Sequence, residues 1–269
     1  MKKTRELTLI KKENLSENLY RLVLSGAALS DFPENQESGY VKFLFSPDDG
    51  EALKPELLDD SEYFKATRKR TFTIRAYDAN AQQLHIDGVC HSFGDANQGP
   101  ANRWIENANV GDALFTAGPG DKKLINFDAD WYFFAGDMTA LPAIEVNLQQ
   151  LPKSARGIAV IEVISNGDIR TLDAPEGIAI HWVVNANPKT PNSLLSDKVR
   201  SLDFLDGEVS VWLAGEFEMM RNLRRYFKQE KAVGRSKIYA SSYWKINESD
   251  EGNKKAKRQD EAENPDDQI

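Results

Sequence analysis

The chain has 269 residues, 41% hydrophobic and 28% charged, which gives room for two ordinary domains with real cores and excludes collagen-like or disordered chains. A formal charge of −8 excludes nonspecific nucleic-acid binding, which draws on many lysines and arginines to neutralise phosphates. The single cysteine, Cys90, rules out an internal disulfide, a four-cysteine cluster and a cysteine-built zinc cage, so redox chemistry would need an organic cofactor.

In chain order, the first segment with a clear pattern is 4–12, which alternates like a strand and is too short for the apolar region of a signal peptide. No apolar run approaches the roughly 20 residues that span a bilayer, so the expectation is a cytoplasmic chain without a membrane partner. Further β-rich segments follow at 19–25, 39–45, 70–77, 83–90 and 112–117, punctuated by turns such as Asp48-Asp49-Gly50 and Asp78-Ala79-Asn80. The pattern predicts an antiparallel barrel or sandwich.

After residue 128 the pattern changes to continuous apolar runs at 131–135, 158–164, 178–184 and 209–214. Runs buried on both faces suit a parallel sheet, with 141–151 and 217–230 as crossover helices. From 247 onward there is no aromatic residue, and eight acids face four bases. Such a segment buries too little apolar surface to offset its ordering entropy. The predicted division is therefore 1–125, 126–246 and a disordered acidic tail at 247–269. With a polar tail and no heptads, a monomer is expected.

Two segments carry chemistry in the first lobe. Arg70-Thr71-Phe72-Thr73-Ile74-Arg75 combines cations suited to a pyrophosphate, a flat ring suited to a flavin and a hydroxyl suited to a ring nitrogen. Strict alternation sends Arg70 and Phe72 to one face and Thr73 and Arg75 to the other, so a twist or bulge must bring them to one ligand. Taken alone, the segment also reads as an exposed strand with surface arginines. The second segment runs from Asp87 through His91 to Gly99-Pro100-Ala101-Asn102-Arg103-Trp104. A helix beginning near Pro100 would offer its N-terminus to a phosphate, though a plain loop and short helix fits equally well in isolation.

Together these segments resemble the flavin-binding signature of the siderophore-interacting protein family, with Phe72 where the family commonly has tyrosine. The likeness continues through Gly111-Asp112, Ala117-Gly118-Pro119-Gly120, the stretch Ala135-Gly136-Asp137-Met138-Thr139-Ala140-Leu141, Trp212-Leu213-Ala214-Gly215-Glu216 and Tyr243-Trp244-Lys245. Met138 stands where the family commonly has glutamate. The resemblance implies a six-stranded Greek-key barrel that binds FAD, followed by an α/β domain that serves as a platform for NADH or NADPH.

On this basis Arg70, Phe72, Thr73, Arg75, Asp87, His91, Ala101 and Asn102 would hold FAD. Gly136, Asp137, Thr139, Ala140, Gly215, Glu216 and Trp244 would form the nicotinamide side. No Gly-x-Gly-x-x-Gly occurs, so that assignment rests on the resemblance. Many ferric siderophores are anionic, which nominates Lys42, Lys122, Lys123 and Lys245 for the acceptor. The three histidines show no metal-site spacing, and no protein-bound metal is expected. The implied activity is ferric-siderophore reduction, passing electrons from NAD(P)H through FAD to Fe(III). The alternatives are a non-catalytic ferric-siderophore-binding module and a flavin reductase using ferredoxin as partner. No protein acid or base is required, because the flavin carries the chemistry.

Overall fold

A computed structural model describes residues 3–90 and 99–264. In β1 (Thr4–Ser16), Leu7 and Leu9 are buried while Glu6 is exposed, the period of two that gives a strand one inward face. The first compact unit, Met1–Lys122, continues through β2 (Leu19–Ser25), β3 (Tyr40–Phe45), α1 (Ser61–Ala66) and β4 (Arg68–Asp78). It is completed by β5 (Gln83–Val89), α2 (Pro100–Asn107) and β6 (Ala113–Gly120). The strands close as a barrel in the order β1-β2-β5-β4-β3-β6, which leaves no exposed edge. Leu22, Leu24, Phe43, Ile74, Leu84 and Ile86 fill it. At the end of β6, a Cβ on Gly120 would fall inside the ring of Tyr40, so only glycine permits that packing.

The second unit, Lys123–Ile269, opens with β7 (Trp131–Gly136), buried at every position. Then come α3 (Leu141–Gln150), β8 (Arg156–Val163), β9 (Gly177–Val184), α4 (Leu194–Arg200) and β10 (Val209–Glu216). After them lie α5 (Phe217–Arg225), β11 (Ile238–Trp244) and α6 (Asp250–Glu263). The sheet is parallel, in the order β11-β10-β7-β8-β9, so the chain reverses its direction of strand addition between β7 and β10. Trp131, Phe133, Val160, Leu195, Val211 and Phe227 build the core on one face. Among the described residues no helix is long and apolar enough to cross a membrane. The barrel and the parallel sheet are the two architectures that the residue patterns predict.

Two elements depart from those patterns. β11 has no continuous apolar run, because Ser241 and Ser242 interrupt it, and beyond Ile238 all its residues are half-buried, so no pattern marks it as a strand. The tail expected to be disordered instead forms α6 over Asp250–Glu263. Ser249 caps it by accepting from the Gly252 N–H at 3.1 Å, and Asp250 and Glu251 lie in the first turn, where carboxylates favour the helix dipole. Its inward positions are polar: Asn253 accepts from the Ser242 hydroxyl at 2.7 Å, and Asp260 pairs with Arg221 at 2.9 Å and Arg224 at 2.7 Å. An argument from apolar area cannot see a helix docked by charge.

Candidate functional site

β4 is where the first unit concentrates the residues singled out from the sequence. Its register against β5 runs Ile74↔Ile86 and then Ala76↔His85, which leaves Arg75 at a bulge and breaks the strict alternation between Arg70 and Arg75. Phe72 is half-buried with its ring centroid 4.4 Å from that of Phe43, and Thr73 beside it is buried. Arg70 is half-buried and donates from Nη1 to the Lys69 carbonyl at 2.8 Å.

Asp87 plays a supporting part. Its side chain is wholly buried and accepts from Nε and Nη2 of Arg21, both at 2.7 Å, in a two-pronged pair. Nε of Arg75 lies 3.9 Å from the same carboxylate. The buried acid therefore holds two cations on the barrel wall. Arg21 escapes the sequence analysis, because its pairing depends on β2 lying directly across from Asp87 in β5, which no local pattern reveals.

α2 meets β4 at Gly88, where the space for a Cβ is bounded by Ile105 of α2 and Phe72 of β4. Gly99 precedes Pro100 as the cap residue, and among the described residues no side chain caps the first turn and nothing lies within 4 Å of a Cβ built on Gly99. Backbone amides at an uncapped helix start are a ready phosphate site. Ala101 is buried and Asn102 half-buried in that turn. Cys90, buried beside it, has its thiol pushed up to about 11 by desolvation, so it remains protonated. His91 lies outside the described residues. Two arginines, a helix start uncapped among the described residues, a half-buried ring and a buried hydroxyl fit a flavin dinucleotide in donor type.

The second unit gathers its candidates at the carboxyl edge of the sheet. Gly136 pairs with Ala214 across β7 and β10, at the point where strand order reverses and open α/β sheets take ligands. Asp137 is buried and accepts four hydrogen bonds: from Thr139 N–H (2.9 Å) and hydroxyl (2.5 Å), from Glu216 N–H (2.9 Å) and from the Trp244 indole (2.8 Å). Burial pushes its pKa up and the donors, led by Thr139 and Trp244, oppose the rise. Gly215, at φ 146°, has its would-be Cβ position filled by the Asp137 carboxylate. Glu216 caps α5 by accepting from the Glu218 and Met219 N–H groups at 2.7 and 3.0 Å. Ala140 is buried, and so is Met138, whose sulfur accepts from the Ile164 N–H at 3.4 Å.

A residue not anticipated is Glu162, near the end of β8. Burial pushes its pKa up to about 7, against a hydrogen bond from Asn185 at 3.0 Å and with help from the charges of Asp137 and Glu216. An acid in an otherwise apolar strand is the one signal the sequence offered.

The four lysines occupy distinct settings. Lys42 is half-buried with its ammonium 6.0 Å from the Tyr40 ring centroid, and Lys122 is exposed. In the second unit Lys123 lies 4.4 Å over the Tyr243 ring. Lys245 lies 4.1 Å over Phe217 and pairs with Glu218 at 3.2 Å, so it is already engaged on the protein surface.

A closed antiparallel barrel followed by a parallel sheet with helices is the ferredoxin-reductase-like fold. Residues 8–123 match the family described as siderophore-interacting FAD-binding domain, and 129–247 match siderophore-interacting protein. The ferric vibriobactin reductase of Vibrio cholerae is 31% identical over 252 residues, covering 92% of this chain and 91% of that one. The NADPH-dependent ferric-chelate reductase of Escherichia coli is 26% identical, covering 89% and 92%. The crystal structure of the siderophore-interacting protein SipS from Aeromonas hydrophila superposes with a TM-score of 0.81 at 29% identity, covering 96% of this chain and 98% of that one. The chain belongs to the siderophore-interacting protein family, and its first unit is that family's FAD-binding domain.

Proposed function

We propose that the chain is a cytoplasmic ferric-siderophore reductase, a monomer that passes electrons from NADH or NADPH by way of FAD to Fe(III) in a siderophore. The carrying observation is the family match along both units, joined to full-length likeness to relatives named as ferric-siderophore and ferric-chelate reductases. When bound, FAD supplies the exchange between a two-electron donor and a one-electron acceptor, so one NAD(P)H serves two Fe(III).

In this reading 1–125 is the flavin domain. Arg70, Arg75 and the uncapped start of α2, with Ala101 and Asn102, hold the pyrophosphate; Phe72 restricts the ring, Thr73 offers its hydroxyl, and Asp87 fixes Arg75 in place. Residues 126–246 are the nicotinamide platform. There Gly136 and Gly215 bring the backbone close, while Asp137, Thr139, Ala140, Glu216 and Trp244 form one hydrogen-bonded rim. Lys42, Lys122, Lys123 and Lys245 attract an anionic ferric siderophore. Fe(II) binds hard oxygen chelators less tightly than Fe(III), so reduction frees the metal.

The test is an anaerobic absorbance spectrum before and after dithionite, followed by ferric siderophore and a ferrous-specific chelator. Flavin bands that bleach and then return as ferrous chelate forms are the expected result. A protein that neither copurifies with flavin nor binds added FAD overturns the reading.

A further inference from the structure

α6 is docked without burying an apolar side chain, since its buried residues are Asn253 and Asp260. Between α6, α5 and β11 lies a cavity of about 170 Å³, whose polar lining is Arg221, Arg224, Ser241, Ser242 and Lys257 with the two acids Asp260 and Glu261, three cations against two carboxylates. Asp260 answers the two arginines on separate oxygens of its carboxylate, accepting a hydrogen bond from Nη2 of Arg224 and standing in an ion pair with Nε of Arg221, and Glu218 takes Nη1 of Arg221 at 3.0 Å.

Lys257 is in a different position. Its ammonium reaches only neutral oxygens, the Ser242 carbonyl at 3.3 Å and the Ser241 hydroxyl at 3.5 Å, and no carboxylate pairs with it among the described residues. Burial pulls its pKa down, and the charges of Glu261, which lines the same cavity, and of Asp250 oppose the fall. Drawing an ammonium into a cavity with no carboxylate bonded to it directly is unfavourable, and a bound anion would relieve that cost. The cavity is smaller than the roughly 300–1,000 Å³ of pockets for drug-sized ligands and suits a single anionic group.

We propose that this cavity is a binding site for a small tetrahedral oxyanion, a phosphate group, held by Lys257 and the hydroxyl of Ser241. Arg221 and Arg224 add positive field behind Asp260. The ligand gives Lys257 a directly bonded counter-charge, and because Lys257 belongs to α6 while Ser241 belongs to β11, it fastens the helix to the sheet. A free phosphate ion and the phosphate of a mononucleotide share this chemistry.

The experiment titrates the full chain with inorganic phosphate, and separately with adenosine 2′-phosphate, at constant ionic strength. It follows heat of binding and amide hydrogen exchange across 250–263. Saturable binding with exchange in α6 slowed several-fold is expected. Lys257→Met should weaken affinity by about 10-fold or more, as loss of a charge-assisted bond implies, while Lys257→Arg stays within about 3-fold. Melting curves establish first that both variants are folded; if Lys257→Met is not, Ser241→Ala carries the test with about 3-fold weakening. The nucleotide binding at least about 10-fold tighter than phosphate, with that advantage lost in Lys257→Met, assigns the site to a phosphomonoester; similar affinities assign it to the free ion; and a nucleotide advantage that Lys257→Met leaves intact belongs to another site and overturns the phosphomonoester reading. Absence of saturable binding by either probe, or equal affinity in wild type and Lys257→Met, overturns the proposal.

Discussion

Asp87 shows how one buried carboxylate can organise a ligand site without touching the ligand. Replacing it with alanine leaves Arg21 and Arg75 on the barrel wall without their shared counter-charge, and we expect a loss of about 3 kcal/mol together with weaker FAD retention, read by urea unfolding and by the flavin-to-protein absorbance ratio. Glu162 behaves in the opposite sense. Its folded pKa is raised from 4.5 to about 7, so its favourable contribution is fullest below pH 4.5 and is lost as pH rises to about 7. Glu162→Gln should therefore raise stability at pH 8 by on the order of 1–3 kcal/mol and change it little at pH 4.5, as thermal melts at the two pH values would reveal. Charge reversal at Lys42 or Lys245 should raise KM for an anionic ferric siderophore several-fold while flavin content holds, and unchanged KM in both variants would remove them from the acceptor site. The Arg70 to Arg75 cluster was legible because it is contiguous on one strand. Arg21 was not, because strand pairing rather than sequence distance brings it to Asp87, 66 positions away.

At the scale of elements, the strands that could be read from sequence are those whose burial is regular. β1 alternates, and β7 and β10 are buried throughout, so each has a period or a run to detect. β11 has neither. α6 was hidden for a related reason: its attachment to α5 rests on Asp260 and to β11 on Asn253, and composition counts such residues as solvent-facing. Asp260→Asn should loosen this attachment. The expected signs are amide exchange accelerated at least about 10-fold over 250–263 and a melting temperature lowered by only a few degrees, since α6 can open while the sheet stays formed. Added salt should accelerate exchange in the wild-type helix too, by screening the partly exposed members of the network.

On the scale of the whole molecule, the chain forms two compact units that part between Lys122 and Lys123. Each unit has its own core, so the assignment of FAD to the first can be tried directly: residues 1–122 expressed alone should quench added FAD fluorescence and 123–269 should not. Quenching by the second piece alone would reverse the assignment. The rim at the sheet edge bears on how the chain is made. The bond from Trp244 to Asp137 joins residues 107 positions apart, whereas the barrel has received its last strand by Gly120. During synthesis the first unit can close while the second is still incomplete, and Asp137 waits for its fourth donor until β11 has left the ribosome. A message truncated even a few codons before Trp244 would yield a finished flavin barrel attached to a sheet edge with a buried acid missing one of its partners.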